Sequence, residues 1–254
     1  MNSISKTHLL LIPSYNTGAI VVDVIKAALQ FWQPIYVIVD GSDDGSAELL
    51  EKLAQSEANL KVLKHPENQG KGSAVYTGIK AASDKGYTHV LTMDADGQHP
   101  ANLISKMMKL SVEHPNAMIL GEPIFDESAP ASRVHGRKIS NFWANLETLW
   151  AGIHDSLFGF RVYPIKALLE VMDETRFARR FDFDPEVVVR LAWKGVPIIN
   201  TAVPVRYLSA EEGGVSQFRY LRDNCLLTAM HIRLFFGFIV RIPVLLWHHL
   251  KSLS

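Results

Sequence analysis

With 254 residues, 26 acidic against 26 basic side chains and 48% apolar positions, the chain can build one full α/β core and carries no net field to recruit nucleic acid. Its single cysteine, Cys225, excludes an intramolecular disulfide framework and a zinc cluster of several thiolates, and points to a reducing cytoplasm. Residues 1–8 lead into a short apolar run without the length or cleavage pattern of a signal peptide, so the chain is expected to stay where it is made.

Residues 8–13 read as a buried strand that breaks at Pro13-Ser-Tyr-Asn-Thr-Gly18, and residues 19–31 have the helix period, with Ile20, Val24, Ala27 and Ala28 on one face. The β-branched run 35–39 is a second strand. It stops at the turn-rich acidic loop Asp40-Gly-Ser-Asp-Asp-Gly-Ser46, which hands over to a helix over 47–55. A third strand spans 60–63, a helix 70–82 and a fourth strand 89–93. Further on, 117–120, 158–163 and 196–205 read as strands, with helices over 134–150 and 185–193. This alternation predicts a mostly parallel sheet with helices on both faces and ligands gathered at the carboxyl ends of its strands.

The polar loops lie at that edge. Asp94 and Asp96 end the fourth strand one residue apart, and alternate strand positions point the same way, so the two carboxylates can converge. With Gln98 they suit a hard cation, Mg²⁺ or Mn²⁺, completed by water and the phosphates of a nucleoside diphosphate. The competing reading is a turn, or a cap for a helix starting near His99-Pro100. Pro13, Tyr15, Asn16 and Asp40 could serve a nucleoside, the ring stacking on a base and the carboxylate accepting hydrogen bonds, or could be ordinary turn residues. Asn68-Gln-Gly-Lys-Gly72 opens a helix whose free N–H groups, with Lys71, would attract an anion, and a plain helix start explains it equally well. The stretch Phe181-Asp-Phe-Asp-Pro-Glu186 offers Asp182, Asp184 and Glu186 at a helix start, with Asp184 at the N-cap and Pro185 in the first turn as the structural alternative to a catalytic base. His65, His89, His114 and His135 lack ligand spacing and read as surface groups. His99 follows the D-x-D closely.

Tyr15-Asn16 after the first strand, Asp40-Gly-Ser-Asp-Asp-Gly-Ser46 after the second, Asn68-Gln-Gly-Lys-Gly72 opening a helix and Met93-Asp-Ala-Asp-Gly-Gln-His-Pro100 after the fourth, taken in order, resemble family 2 glycosyltransferases, and within them the subgroup that transfers sugars to polyprenyl phosphates, such as dolichyl-phosphate mannose synthases. The resemblance covers about residues 8–207. It implies a GT-A (Rossmann-like) nucleotide-sugar transferase fold, a UDP- or GDP-linked sugar donor, a divalent metal and inversion at the anomeric carbon. Carried over by position, Pro13, Tyr15, Asn16 and Asp40 would hold the nucleoside with Lys71 nearby, Asp94 would serve donor and metal, and Asp96 and Gln98 the metal. Asp155-Ser-Leu-Phe-Gly-Phe-Arg161 resembles a later D-x-x-S-G-F-R segment near the donor and acceptor phosphates, with Phe158 in place of its serine and Arg161 retained. Other departures are Thr17, Val39 and Pro123. Gln217 stands for lysine in Gly213-Gly-Val-Ser-Gln217, preceded by Glu211 and Glu212, and Arg133, Arg137 and Ser140 are candidates to restore positive or polar contacts to an acceptor phosphate.

A lipid phosphate is anionic and needs no general base, so Asp96 and Arg161 would carry the chemistry. A hydroxyl acceptor would need Asp184 or Glu186, since general-base help is worth about 10²–10⁴-fold. A metal-dependent phosphatase, with the D-x-D supplying an aspartyl nucleophile, is a further alternative.

The chain divides into a catalytic unit, residues 1–215, and a basic, apolar helical tail, 216–254. Because His231, Arg233 and Arg241 interrupt residues 226–250 and Pro243 breaks them, the tail is expected to lie in the plane of the membrane surface rather than cross it. The expected location is cytoplasmic and peripheral, and a homo-oligomer stays open.

Overall fold

The computed structural model describes residues 4–125, 131–205 and 219–252, apart from the side chains of 131–133 and 248–252. Seven strands form one sheet: β1 (His8–Ser14), β2 (Ile35–Asp40), β3 (Leu60–His65), β4 (His89–Thr92), β5 (Met118–Phe125), β6 (Arg161–Pro164) and β7 (Ile198–Val205), in the order β3-β2-β1-β4-β6-β5-β7. All neighbours are parallel except β6, which runs antiparallel to β4 and to β5. β1 and β2 are apolar on both faces because both are covered. Leu9, Leu11 and Ile38 face one side, under α3 (Lys71–Ser83), α6 (Ile165–Asp173) and α7 (Phe183–Trp193). Leu10, Ile12 and Val37 face the other, under α1 (Ile20–Leu29), α2 (Ser46–Ser56) and α4 (Ile104–Glu113).

The expected α/β class and mostly parallel sheet hold. Helix α6 was not anticipated, although Ile165, Leu168, Val171 and Met172 repeat at helical spacing. The sixth strand begins at Arg161 rather than Phe158. Two histidines expected at the surface are internal: His89 is buried and His65 is hydrogen-bonded to Asp40 and Thr77.

Helix α5 (Ala131–Glu147) and α8 (Tyr220–Ser252) complete the fold. Pro243 does not end α8; the helix continues through it. Among the described residues, Tyr220–Trp247 is the one helix long and apolar enough to cross a membrane, with a mean hydropathy of 1.7. One face of it packs on the domain through Met230, Leu234, Phe238 and Leu245. That face also carries charge into the core. His231 bonds Glu147 (3.0 Å) and Ser140 (3.0 Å), and the Arg233 guanidinium meets Glu186 while stacking over Phe177 at 3.7 Å. The opposite face, with Ile232, Phe236, Val240 and Trp247, is exposed. The boundary expected at residues 215–216 lies outside the described residues, as do Glu211, Glu212 and Gln217.

Two predictions follow from these buried charges. Glu186 is fully buried, so Arg233→Met is expected to cost about 1–3 kcal/mol by leaving one carboxylate oxygen without its partner while Arg190 keeps the other, against about 0.5 kcal/mol or less for the exposed Val240→Ala, measured by denaturant unfolding. The second concerns His8, stacked on His89 at 4.4 Å and bonded to Ser111. Burial, then the His89 charge, lowers its pKa to about 4. The unfolded chain takes up this proton near pH 6.5 and the folded chain only near 4, so stability is lost as pH falls through that window, on the order of 3 kcal/mol. His8→Gln should flatten that part of the pH–Tm curve.

Candidate active site

The carboxyl ends of β1, β2 and β4 open into a cavity of about 530 Å³. Its walls include Pro13, Tyr15, Asp40, Lys71, Asp94, Asp96, Gln98 and Asp184, so the structure brings most of the sequence-predicted residues to one place. Leu157, Phe158, Arg137 and the first turns of α8, including Tyr220, Arg222 and Leu227, line the same space.

The loop after β1 is tied to the loop after β2. Asn16, in a left-handed conformation (φ 47°), donates from Nδ2 to Asp43 (2.7 Å) and accepts the Asp43 N–H (3.0 Å), while the Gly18 N–H donates to Asp44 (2.6 Å). Asn16 therefore builds the loop that presents Tyr15, and is absent from the cavity wall. Asp40 has a comparable role. Its buried carboxylate accepts from His65 Nδ1 (2.7 Å), Asn68 Nδ2 (3.0 Å) and the N–H groups of Gln69 (3.0 Å) and Gly70 (2.7 Å). The amides expected to greet an anion thus already have a carboxylate. Ser73 N–H, one turn later, donates to Arg179 O. Gly72 has its own reason: a Cβ there would stand 2.2 Å from Ala178 O, so the start of α3 packs backbone to backbone on the 178–180 segment.

Lys71 lines the cavity with its ammonium turned to two carboxylates. Its Nζ lies 2.7 Å from Asp94 Oδ1 and 2.7 Å from Asp184 Oδ2, binding the D-x-D to α7. Burial works against the ammonium, but Asp184 and Asp94 outweigh it and raise its pKa. Burial opposes ionisation of Asp94 as well, yet the Lys71 ammonium prevails and holds its carboxyl below the usual range. For Asp184 burial wins and the pKa is raised. Asp184 Oδ1 is buried without a hydrogen-bond partner, 4.0 Å from Arg161 Nη1.

Arg161 is fully buried and away from the cavity wall. It donates to the Asp184 carbonyl (2.7 Å), Tyr163 OH (3.2 Å) and Asp155 O (3.1 Å), and so positions Asp184 rather than touching a ligand. Helix α7 begins at Phe183 with Asp182, not Asp184, at the N-cap position, and the Asp182 carboxylate turns back to accept Ala178 and Arg180 N–H groups. Asp184 is left to face the cavity. Glu186 does not join it; its oxygens go to Arg190 (2.8 Å) and Arg233, away from the cavity wall.

Asp96 caps its own turn, accepting the Gln98 N–H (3.0 Å). Burial, then the Asp94 charge, pushes its pKa up to about 6. His99 Nδ1 accepts the Asp94 N–H (3.1 Å), which puts the ring proton on Nε2, 3.8 Å from Asp94 Oδ2; burial lowers its pKa to about 4, so the ring is neutral at pH 7. No cluster of three or more His, Cys, Asp or Glu side chains disposed to hold a metal occurs among the described residues. The donor set is two crowded carboxylates and a nearby amide, whose repulsion a divalent cation would relieve. That fits a hard ion completed by ligand phosphates and water.

Sequence reasoning missed Arg180, which lines the cavity and donates to Asn68 Oδ1 (3.0 Å), and the contribution of α8. The Arg179-Arg180 pair just before Phe181-Asp182 was a signal for the first; only packing reveals the second. Arg137 is spoken for by Asp155 (2.7 Å) and Ser140 by Ser156 and His231, while the Arg133 side chain lies outside the described residues.

Comparison with known proteins agrees with this geometry. Residues 10–171 match the family described as Glycosyl transferase family 2. The chain is 26% identical over 196 residues to the UDP-N-acetylglucosamine–dolichyl-phosphate N-acetylglucosaminyltransferase of Methanococcus voltae, covering 71% of this chain and 78% of that one. It is 24% identical over 212 residues to the polyprenol monophosphomannose synthase of Mycolicibacterium smegmatis, covering 81% and 78%. In fold it is similar to glucosyl-3-phosphoglycerate synthase from Mycobacterium tuberculosis, solved with Mn²⁺, UDP and glucosyl-3-phosphoglycerate. The TM-score is 0.63 at 17% identity, over 93% of this chain and 80% of that one. The fold is therefore GT-A, and the chain is a glycosyltransferase that belongs to glycosyl transferase family 2.

Proposed function

We propose that the chain is a metal-dependent, inverting glycosyltransferase that moves a sugar from a nucleotide diphosphate sugar to a lipid-linked, polyprenyl phosphate-like acceptor. The observation that carries this reading is the mixed lining of the cavity: Tyr15, Lys71, Asp94 and Asp96, together with Arg222, Leu157, Phe158, Tyr220 and Leu227. The first set suits a nucleoside diphosphate. The second pairs a cation with apolar surface, as an anionic head on a hydrocarbon chain requires. The M. voltae and M. smegmatis relatives are named for dolichyl phosphate and polyprenol acceptors, in keeping with that assignment.

Tyr15 is offered as the ring that stacks on the base, with Pro13 beside it. Asp94 and Asp96, with Gln98 adjacent, would hold a divalent cation, Mg²⁺ or Mn²⁺, that stabilises charge on the departing nucleoside diphosphate. Lys71 contributes a positive charge within the cavity and Arg161 keeps Asp184 in place. A phosphate acceptor arrives ionised, so none of these side chains has to remove a proton. Residues 1–215 form the catalytic unit in this account. The exposed face of α8 rests on the cytoplasmic membrane surface, its apolar side chains in the headgroup boundary.

A second reading, transfer to a hydroxyl of a lipid or glycan, is favoured by one observation, the Asp184 carboxylate on the cavity wall, whose buried Oδ1 accepts no hydrogen bond. Asp184 would then be the base, and Glu186, locked between two arginines, would not share that role.

Calorimetry with UDP and GDP, with and without Mn²⁺, tests the donor site. Metal-dependent binding of one nucleotide, lost in Asp96→Ala, is expected; binding of neither would overturn the reading. Because the Asp96 carboxyl must lose its proton to take a cation, that binding should weaken as pH falls through about 6 and level off about one pH unit above it. For the acceptor, labelled sugar should pass to polyprenyl phosphate and not to the matching polyprenol. Transfer to the alcohol instead, abolished by Asp184→Asn, would establish the second reading.

A further inference from the structure

Lys71 holds an oxygen of Asp94 that a divalent cation at the D-x-D could otherwise use. The Lys71 ammonium sits 2.7 Å from Asp94 Oδ1, is nearly enclosed, and is fixed on its far side by Asp184 Oδ2 at 2.7 Å. The chain leaves room for this pair deliberately at Gly159, where a Cβ would stand 2.6 Å from Lys71 Nζ and 2.6 Å from Asp94 Oδ2. Other charged or titratable groups facing the pair are Arg161 and Tyr163, near Asp184, and His99 and Asp96, near Asp94. A cation bound through Asp94 Oδ1 would have this ammonium as a close neighbour of like charge, with little water between them to screen the repulsion.

We propose that Lys71 is a tethered counter-ion that competes with a divalent cation for Asp94, so that the cation is admitted together with an anionic nucleoside diphosphate rather than alone. The diphosphate supplies what the displaced ammonium needs. Lys71 lines the cavity, and its flexible four-carbon stem can turn the charge onto an anion without stranding it. Asp184 keeps the ammonium close by in either position, which makes the exchange a short swing and not an expulsion. The inference rests on the proposed donor site, with Asp94 and Asp96 as cation ligands.

The test is Mn²⁺ affinity, read by electron paramagnetic resonance of free Mn²⁺ without any turnover. It is applied to the wild type, Lys71→Met and the double variant Lys71→Met/Asp184→Asn, each with and without UDP or GDP. The double variant leaves net charge unchanged and strands neither partner of the Lys71–Asp184 pair, so it guards against failure to fold and against a mere change of overall field. Both variants are expected to bind Mn²⁺ alone on the order of tenfold more tightly than the wild type, with a smaller further gain on adding the nucleotide. A gain in affinity is not something a damaged fold produces. Unchanged or weaker Mn²⁺ binding by both variants, where the wild type binds Mn²⁺ with nucleotide, would overturn the counter-ion role alone. A wild type that takes no Mn²⁺ even with UDP or GDP would instead remove the donor site on which the inference rests.

Discussion

The site depends on one buried ammonium held between two carboxylates. Lys71 belongs to the start of α3, Asp94 to the end of β4 and Asp184 to the start of α7, so their contacts join three elements far apart in sequence. Burying a charge costs several kcal/mol unless its partners are well placed, and the same desolvation makes a misplaced partner expensive. The surroundings accordingly serve the placement: Arg161 holds the Asp184 carbonyl from β6, and Gly72 lets α3 approach the 178–180 segment closely.

Several residues that look functional by type have their polar atoms engaged within the protein, where they hold neighbours in place. Asp40 spends its carboxylate on shaping the loop that carries Lys71, and Asn16 spends its amide on joining two loops under Tyr15. Glu186 gives one oxygen to Arg190 of its own helix and the other to Arg233, which anchors α7 to α8. That last contact gives α8 a double character. One face is committed to the domain by buried polar pairs, including His231 with Glu147, while its other face offers isolated apolar groups to the outside. The first turns of the same helix line the cavity, so a surface met by α8 lies beside the space where an acceptor would enter.

Much of this was legible in the sequence where the signal is local. Continuous apolar runs at β1, β2 and β4 gave the buried parallel strands, and the carboxylates directly after β4 marked the cavity, because strand ends and their loops are adjacent in both sequence and space. The antiparallel β6 was not legible, since its direction is set by pairing with β4 and β5 and not by its own short run. Nor were the partners of Glu186 and Asp40, separated by 47 residues to Arg233 and by 28 to 30 to the Asn68–Gly70 loop. Pro243 misled because a proline breaks an isolated helix, whereas α8 is held by packing both before it, at Phe238, and after it, at Leu245. The N-cap position fell to Asp182 and not to Asp184 because α7 begins two residues earlier than the sequence suggested, the usual scale on which local pattern fails to fix a helix end.

The most direct measurement of the central claim is a double-mutant cycle in unfolding free energy between Lys71→Met and Asp184→Asn. If the buried bridge organises the site, each single variant loses about 3–5 kcal/mol, and the double variant loses less than their sum by about 1–3 kcal/mol, because removing both charges strands neither. Strict additivity, with each substitution costing the same in the presence or absence of the other, would contradict it.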